Sequence, residues 1–219
     1  MRILVTGSSG YIGAVMVPYL ERAGHDVVLF DLGLYVDGAF TADMPAADRR
    51  DIRTATPADF DGIDAVVHLA ALSNDPLGNL DPSITYDINH VATVEFARLA
   101  RTAGVERFVF ASSCSLYGAA GGAHVDETAP FAPVTPYGRA KVLVEEGLHE
   151  LADDDFTPTS MRNATVYGVS PALRLDIVVN NLSAWAMATG RIVLTSDGTP
   201  WRPQVHVEDV CNAFAAVLA

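Results

Sequence analysis

The chain opens on a short apolar strand, residues 2–6, that runs directly into Gly7-Ser8-Ser9-Gly10-Tyr11-Ile12-Gly13 and then into an apolar-periodic helix ended by Gly24. A strand followed at once by a glycine loop and a helix is the first half of a βαβ unit, which commits the chain to a parallel sheet. Each glycine has its own steric reason. Gly7 permits the tight turn, Gly10 lets an anionic group approach the backbone, and Gly13 lets helix and strand pack closely. The unpaired amides at the helix N-terminus would then hold pyrophosphate oxygens.

A glycine pattern alone is weak evidence. Here the next apolar strand, residues 26–30, ends in Asp31, where a carboxylate can accept a ribose 2′-hydroxyl. It would repel a 2′-phosphate, and no arginine follows it directly, so the pair of features favours NAD over NADP.

Beyond an irregular connection at 32–47, strand and helix patterns alternate. A short strand is expected at 48–53 with Asp51-Ile52 at its end, and a buried strand at 64–69 that leads into Ala70-Ala71. A long helix follows at 82–103, with Asn89 and Thr93 one turn apart, and then a strand at 107–111 that ends in Ser112-Ser113-Cys114-Ser115. A loop at 119–135 rich in Gly, Ala and Pro leads to a helix at 136–151 and a strand at 157–162. This alternation predicts a doubly wound α/β fold, a parallel sheet with helices on both faces. Ligands of such sheets bind outside the carboxyl ends of the strands, which is where the serine hydroxyls cluster. Beyond Gly168 the pattern loosens into a helix at 175–189 containing Asn180-Asn181, a strand at 192–195, a turn at 196–200, a strand at 205–207 and a helix from 209 to the end.

The chemistry concentrates in Tyr137-Gly138-Arg139-Ala140-Lys141. Positions i and i+4 share a helix face, and Pro136 marks the first turn. Helix dipole and Lys141 ammonium both favour a phenolate at Tyr137, a general base for neutral pH. Composition narrows the partners. A formal charge of −13 argues against nucleic acid or an anionic membrane as the main one. Cys114 and Cys211 lack the spacing of a disulfide framework or a zinc site, no metal site is expected, and a reducing cytoplasm is the simplest setting. No secretory pattern and no membrane-spanning apolar run is seen.

Taken together, these markers resemble the extended short-chain dehydrogenase/reductase family, in its NAD-dependent epimerase/dehydratase branch acting on nucleotide sugars. They are Thr6 to Gly13, Asp31, Asp51-Ile52, His68-Leu69-Ala70-Ala71, Asn89, Ser112-Ser113 before Tyr117-Gly118, and Tyr137 with Lys141. The resemblance implies a Rossmann-type cofactor domain over residues 1–168 and a partial substrate-binding region over 169–219, because relatives continue beyond this length. It implies that Gly7, Ser9, Gly10, Tyr11, Ile12, Gly13, Asp31 and Leu32 hold NAD, with Asp51 and Ile52 flanking the adenine. Leu69, Ala70 and Ala71 would line the nicotinamide side, and Asn89 would orient the strand-to-helix region. Ser113, Tyr137 and Lys141 would be catalytic, Lys141 also binding the nicotinamide ribose. Ser73, Ser113, Thr165, Asn181 and Arg202 would contact a nucleotide-sugar substrate. His206 reads as structural. Thr165 stands where the commoner pattern has asparagine, which leaves the sugar open. Cys114-Ser115 stand where 4,6-dehydratases carry Asp-Glu, which speaks against dehydration. The resemblance therefore implies a 4-epimerase working through a 4-keto intermediate. Its alternatives are a sugar dehydrogenase or ketoreductase that releases NADH, and a shortened NAD-binding protein with little catalysis. It also implies a homodimer through the helices at 82–103 and 136–151.

Overall fold

A computed structural model of the chain describes all residues except 35, 42–43, 45–48, 74–79, 119–123, 195–196 and 200. Five parallel strands form one sheet: β1 (Arg2–Thr6), β2 (Asp26–Phe30), β3 (Ala65–His68), β4 (Arg107–Ser113) and β5 (Thr157–Asn163). Their order is β2-β1-β3-β4-β5, so the winding reverses between β1 and β3. Register pairs Thr6 with both Phe30 and His68, and His68 with Phe110. Gly7, Asp31, Leu69 and Ala111 therefore emerge along one edge of the sheet, where a doubly wound fold opens its ligand crevice.

β1, β3 and β4 are largely apolar and buried because both faces are covered, whereas β5, at the sheet edge, is mostly polar. Leu4, Val66, Phe108 and Phe110 face one layer, built by Phe96, Ala97 and Ala100 of α3 (Thr93–Thr102) and by Val144, Leu148 and Leu151 of α4 (Pro136–Leu151). Phe96 meets Phe30 and Phe60 edge-on, at 5.4 and 4.9 Å between ring centroids. Each fully buried Phe contributes roughly 2 kcal/mol, so this packing, more than helix propensity, fixes α3 on the sheet. Ile3, Val5, Val67 and Val109 face the other layer, which is α1 (Gly13–Arg22) with Met16, Val17 and Leu20, and α6 (Val207–Leu218) with Val210, Phe214 and Leu218. Residues 207–218, assigned from sequence to the substrate part, thus complete the cover of the second face of the five-stranded sheet. The packing does not divide at 168.

Other expectations need correction. The strand expected at 48–53 is absent from the described part of that stretch. Asp51, in extended conformation, accepts the Arg53 amide at 2.9 Å and starts a 3-10 turn, Ile52–Thr54, a local side-chain bond that competes with strand pairing. The long helix at 82–103 is interrupted. Pro82–Tyr86, here α2, passes into a π-helical stretch, Asp87–Ala92, before α3. The wider turn carries Asn89, which is 1% exposed. Residues 192–194 form no strand, whereas Thr165–Tyr167 (β6) pairs in parallel with Gln204–His206 (β7) in a second, two-stranded sheet. α5 (Val178–Thr189) ends at Gly190 in the left-handed conformation. No helix among the described residues is long and apolar enough to cross a membrane.

Candidate active site

The glycine loop is shaped by the absence of side chains. Gly7 has φ +68°, and a Cβ there would lie 2.8 Å from the Ala70 nitrogen. A Cβ on Gly13 would sit 2.1 Å from the Gly7 carbonyl oxygen, so only glycine lets α1 start this close to β1. Asp31 closes the loop from the neighbouring strand, its carboxylate accepting the Ser9 amide at 2.9 Å and the Gly33 amide at 2.6 Å. α1 starts without a side-chain cap, and the buried hydroxyl of Ser8 has no hydrogen-bond partner among the described residues. A donor-rich loop with an unmet polar atom suits a pyrophosphate.

Across the switch point, Thr6 ties β1 to the residues after β3. Its hydroxyl oxygen accepts the Leu69 and Ala70 amides at 3.1 and 3.2 Å, and lies 3.1 Å from Nδ1 of His68. His68 reaches Thr93 with its other ring nitrogen at 3.1 Å. Fully buried, it is driven down to a pKa of about 3 by desolvation, with the Lys141 charge adding to the effect, so it stays neutral. Asn89 grips the following loop through both backbone groups of one residue, accepting the Leu72 amide at 2.7 Å and donating to the Leu72 carbonyl at 2.9 Å. Asp51 lies close by, since Arg50 donates its amide to the Asp31 carbonyl at 2.8 Å. Its carboxylate is engaged by Arg53, which holds its pKa below the usual range, and Ile52 is buried in the core. Leu32 is exposed at the end of β2.

The catalytic candidates converge at the end of β4. Thr135 caps α4 by accepting the Gly138 amide at 3.1 Å, and Pro136 opens the helix, which places Tyr137 in its first turn. Lys141, 2% exposed, donates from Nζ to the Ala111 carbonyl at 2.6 Å. Its ammonium lies 4.3 Å from the Phe110 ring centroid and 5.4 Å from that of Tyr137. Desolvation lowers its pKa to about 7, partly opposed by the Glu145 carboxylate. Ser113, two residues past Ala111, caps the short turn Cys114–Tyr117 by accepting the Ser115 amide at 3.1 Å. Gly138 lets α4 lie on that turn, for a Cβ there would be 3.0 Å from the Ser115 carbonyl. An open cleft of about 950 Å³ elsewhere, lined by Arg101, Asp153 and Val217, is not the site, because Arg101 and Asp153 there pair with each other.

The sequence profile of the NAD dependent epimerase/dehydratase family matches residues 3–219. The chain belongs to this family. It is 30% identical over 239 residues to a UDP-glucose 4-epimerase of Lactobacillus helveticus, covering 100% of this chain and 72% of the relative. Among solved structures it superimposes at TM-score 0.89 and 25% identity on TunA, an NAD dependent NDP-hexosamine 5,6-dehydratase, over 99% of this chain and 71% of that one. It matches MoeE5, solved with UDP-glucuronic acid and NAD, at TM-score 0.85 and 30% identity, over 100% and 72%. As a member of this family the chain is an enzyme of the isomerase or oxidoreductase type with NAD as cofactor. Its own loop fits that cofactor through the Gly7 and Gly13 cradle, the orphaned Ser8 hydroxyl and the Asp31 carboxylate.

The residues expected from sequence to contact a substrate are less uniformly placed. Thr165 starts β6 and donates its amide to Pro203 at 3.1 Å. Arg202 is exposed, yet its charge acts on Cys114, where burial nonetheless raises the thiol pKa. Asn181 is only half-buried, and its side chain donates to the Leu175 carbonyl at 2.8 Å. Ser73 is held by Arg174, Nη1 to Oγ at 2.8 Å. His206 caps α6 and stacks edge-on against Tyr167 at 5.3 Å, a structural role.

Sequence reasoning missed two networks in this family member. Asn180, not its neighbour, is the buried half of the Asn-Asn pair. It accepts the Gly168 amide at 3.1 Å and donates to the Tyr11 hydroxyl at 3.2 Å, while Tyr11 donates to the Gly168 carbonyl at 2.8 Å and Ser170 to the Tyr11 carbonyl at 2.7 Å. The glycine loop is thereby latched to the segment that follows β6. The second network joins Glu145 and Arg162. Only the i+4 spacing of Glu145 from Lys141 signalled it.

Proposed function

We propose that the chain interconverts nucleotide sugars that differ in configuration at C4, through a transient 4-keto sugar. The observation that carries this reading is the placement of Tyr137 in the first turn of α4, one turn from a buried Lys141 that is anchored to the end of the strand bearing Ser113. When bound, NAD supplies the acceptor that takes the C4 hydride and returns it. Tyr137 removes the proton of the 4-hydroxyl as the phenolate, which the neighbouring Lys141 ammonium favours. Ser113 donates its hydrogen to the oxygen on which charge develops, and its present acceptor, Ser115 Oγ at 3.0 Å, is exchanged for the substrate. The keto sugar would then turn over in the site, and Tyr137 would return the proton to its 4-oxygen.

Several features support C4 epimerisation over its alternatives. The similar UDP-glucose 4-epimerase carries that activity in its name, and UDP is accordingly the nucleotide to try first. Dehydration needs a further acid and base, and Cys114, whose thiol burial pushes above its ordinary pKa, is a poor substitute for a carboxyl group. In this reading Arg202, whose charge reaches Cys114 after Ser113, meets the diphosphate of the substrate. We propose a homodimer through α2 to α4, where Ile84 and Val91 are exposed on the first of the two helical stretches.

The test is incubation of the NAD-loaded protein with UDP-glucose, following sugar configuration by proton NMR and absorbance at 340 nm together. Interconversion with UDP-galactose and no lasting absorbance change is expected. Stoichiometric build-up of NADH would instead make the protein a dehydrogenase. Absence of turnover on UDP-hexoses and their uronic acids, with NAD still bound, would leave a binding protein.

A further inference from the structure

We infer that Glu145 and Arg162 are a positioning pair for this reaction, setting the register of α4 on the end of β4 so that Tyr137 and Ser113 face one reacting centre. The inference rests on the function proposed above for its kinetic part only.

α4 meets β4 through two side chains one turn apart on the same helix face. Lys141 donates to the Ala111 carbonyl at 2.6 Å, and the next strand residue, Ser112, donates its hydroxyl to the Glu145 carboxylate. Those two strand residues directly precede Ser113. A slip of α4 along the strand would break both bonds and move Tyr137 relative to Ser113.

Arg162, at the far end of β5, locks this arrangement. Its Nε lies 3.2 and 3.1 Å from the two Glu145 oxygens, and its Nη2 donates to one of them at 2.8 Å. Nη1 donates to the Tyr117 hydroxyl at 2.7 Å and to the Glu127 carbonyl at 2.9 Å. The guanidinium also lies 4.8 Å from the Phe131 ring centroid. One planar group therefore gathers β5, α4, the turn after Ser113 and the loop that returns to α4. A lysine could supply the charge but not the fork of donors in fixed directions.

Stability alone is a poor reason for such a pair. The Glu145 and Arg162 side chains are 9% and 21% exposed, and a pair this buried loses in desolvation much of what it gains in attraction. Directional fixing is what the charged groups add over an apolar contact. Placing a nucleophile or base wrongly by about 1 Å can cost on the order of 100-fold in rate, so this pair bears on turnover more than on binding.

Arg162→Lys and Glu145→Gln test this through two independent readouts. In the NAD-loaded enzyme, kcat should fall by roughly 20-fold or more while KM for the nucleotide sugar and Kd for NAD stay within about 3-fold. Arg162→Lys should be the milder of the two, because it retains the charge facing Glu145. In hydrogen exchange, amides of residues 113–118 and of the first turns of α4 should exchange about 10-fold faster, with β1 to β3 unchanged. That second readout stands even if the wild-type chain turns over no nucleotide sugar, in which case the functional reading falls and the positioning claim is decided by exchange alone. Unchanged exchange in both variants overturns the inference. So does loosening spread evenly over the sheet, or, in an active enzyme, a kcat within about 3-fold of wild type. Should either variant fail to fold, Tyr117→Phe removes one Arg162 bond alone and should raise exchange at 113–118 only; no rise there also overturns it.

Discussion

At the β1–β3 end of the crevice, geometry comes from what the residues lack, whereas at the β4–β5 end it comes from what they carry. Gly7 and Gly13 let backbone approach backbone to distances that a Cβ would occupy, and the helix start there offers uncapped main-chain amides. Around Ser113 the positions are set instead by three long charged side chains, Lys141, Glu145 and Arg162, reaching from two other elements. The first end is rigid because it is close-packed. The second is held by directional bonds and is correspondingly easier to detune without unfolding.

That contrast makes Gly13→Ala the most damaging change, since the new methyl would meet a backbone carbonyl at 2.1 Å that cannot step aside. NAD binding should be lost by calorimetry and the thermal midpoint should drop; an affinity within tenfold of wild type would show that the loop yields more readily than its packing implies. Tyr137→Phe strikes the other end, where NAD should still bind while kcat falls by about 10²–10⁴-fold, the usual range for a lost acid-base group. Normal turnover in that variant would remove Tyr137 from the mechanism. Asp31→Ala should weaken NAD by about tenfold, the value of one charge-assisted hydrogen bond, and NADP much less. An unchanged preference between the two would separate Asp31 from the ribose. Tyr11→Phe, which breaks the bonds to Gly168 and Asn180 but keeps the ring, should leave NAD affinity within a few-fold and raise KM for the nucleotide sugar by roughly 3- to 10-fold. Equal loss of both would place Tyr11 on the dinucleotide alone.

The smallest effect is one of pH on the cofactor-free chain. Lys141 has a pKa of about 7 when folded against 10.5 when exposed, so between those values the unfolded chain binds more protons and stability rises with pH. Lys141→Met should flatten that rise, seen as urea midpoints at pH 7.5 and 9.5 that differ less than in the wild type. A parallel slope in both proteins would mean that Lys141 is better solvated than its burial suggests. His68 acts in the same sense at lower pH, its contribution being lost as the pH falls from 6.5 towards 3.

The same contrast explains what could be read without coordinates. Gly7, Gly10, Gly13 and Asp31 announce themselves because a backbone-built site needs particular residues at fixed local spacing. Tyr137 and Lys141 were legible for the same reason, being one helical turn apart. Arg162 was not, because its partners Glu145, Tyr117 and Glu127 approach it only once β5 lies beside β4. Of the Asn180-Asn181 pair the sequence reading singled out Asn181, whereas burial, which pairwise letters do not reveal, turns Asn180 towards Tyr11. The expected strand at 48–53 failed for a local reason, an aspartate cap, and the even helix at 82–103 failed at its π-helical turn, which periodicity cannot resolve.

Sequence by itself determined the five strands of the main sheet, the glycine cradle, the acidic end of β2 and the Tyr-Lys pair, because each is specified by neighbours along the chain. Only the tertiary structure decided that α6 covers the second face of the main sheet, that Tyr11 bonds to Gly168 and Asn180, and that Arg162 of β5 meets Glu145 of α4. Those contacts join residues far apart in the chain, and they exist only where parallel pairing and burial on both sheet faces bring their elements together.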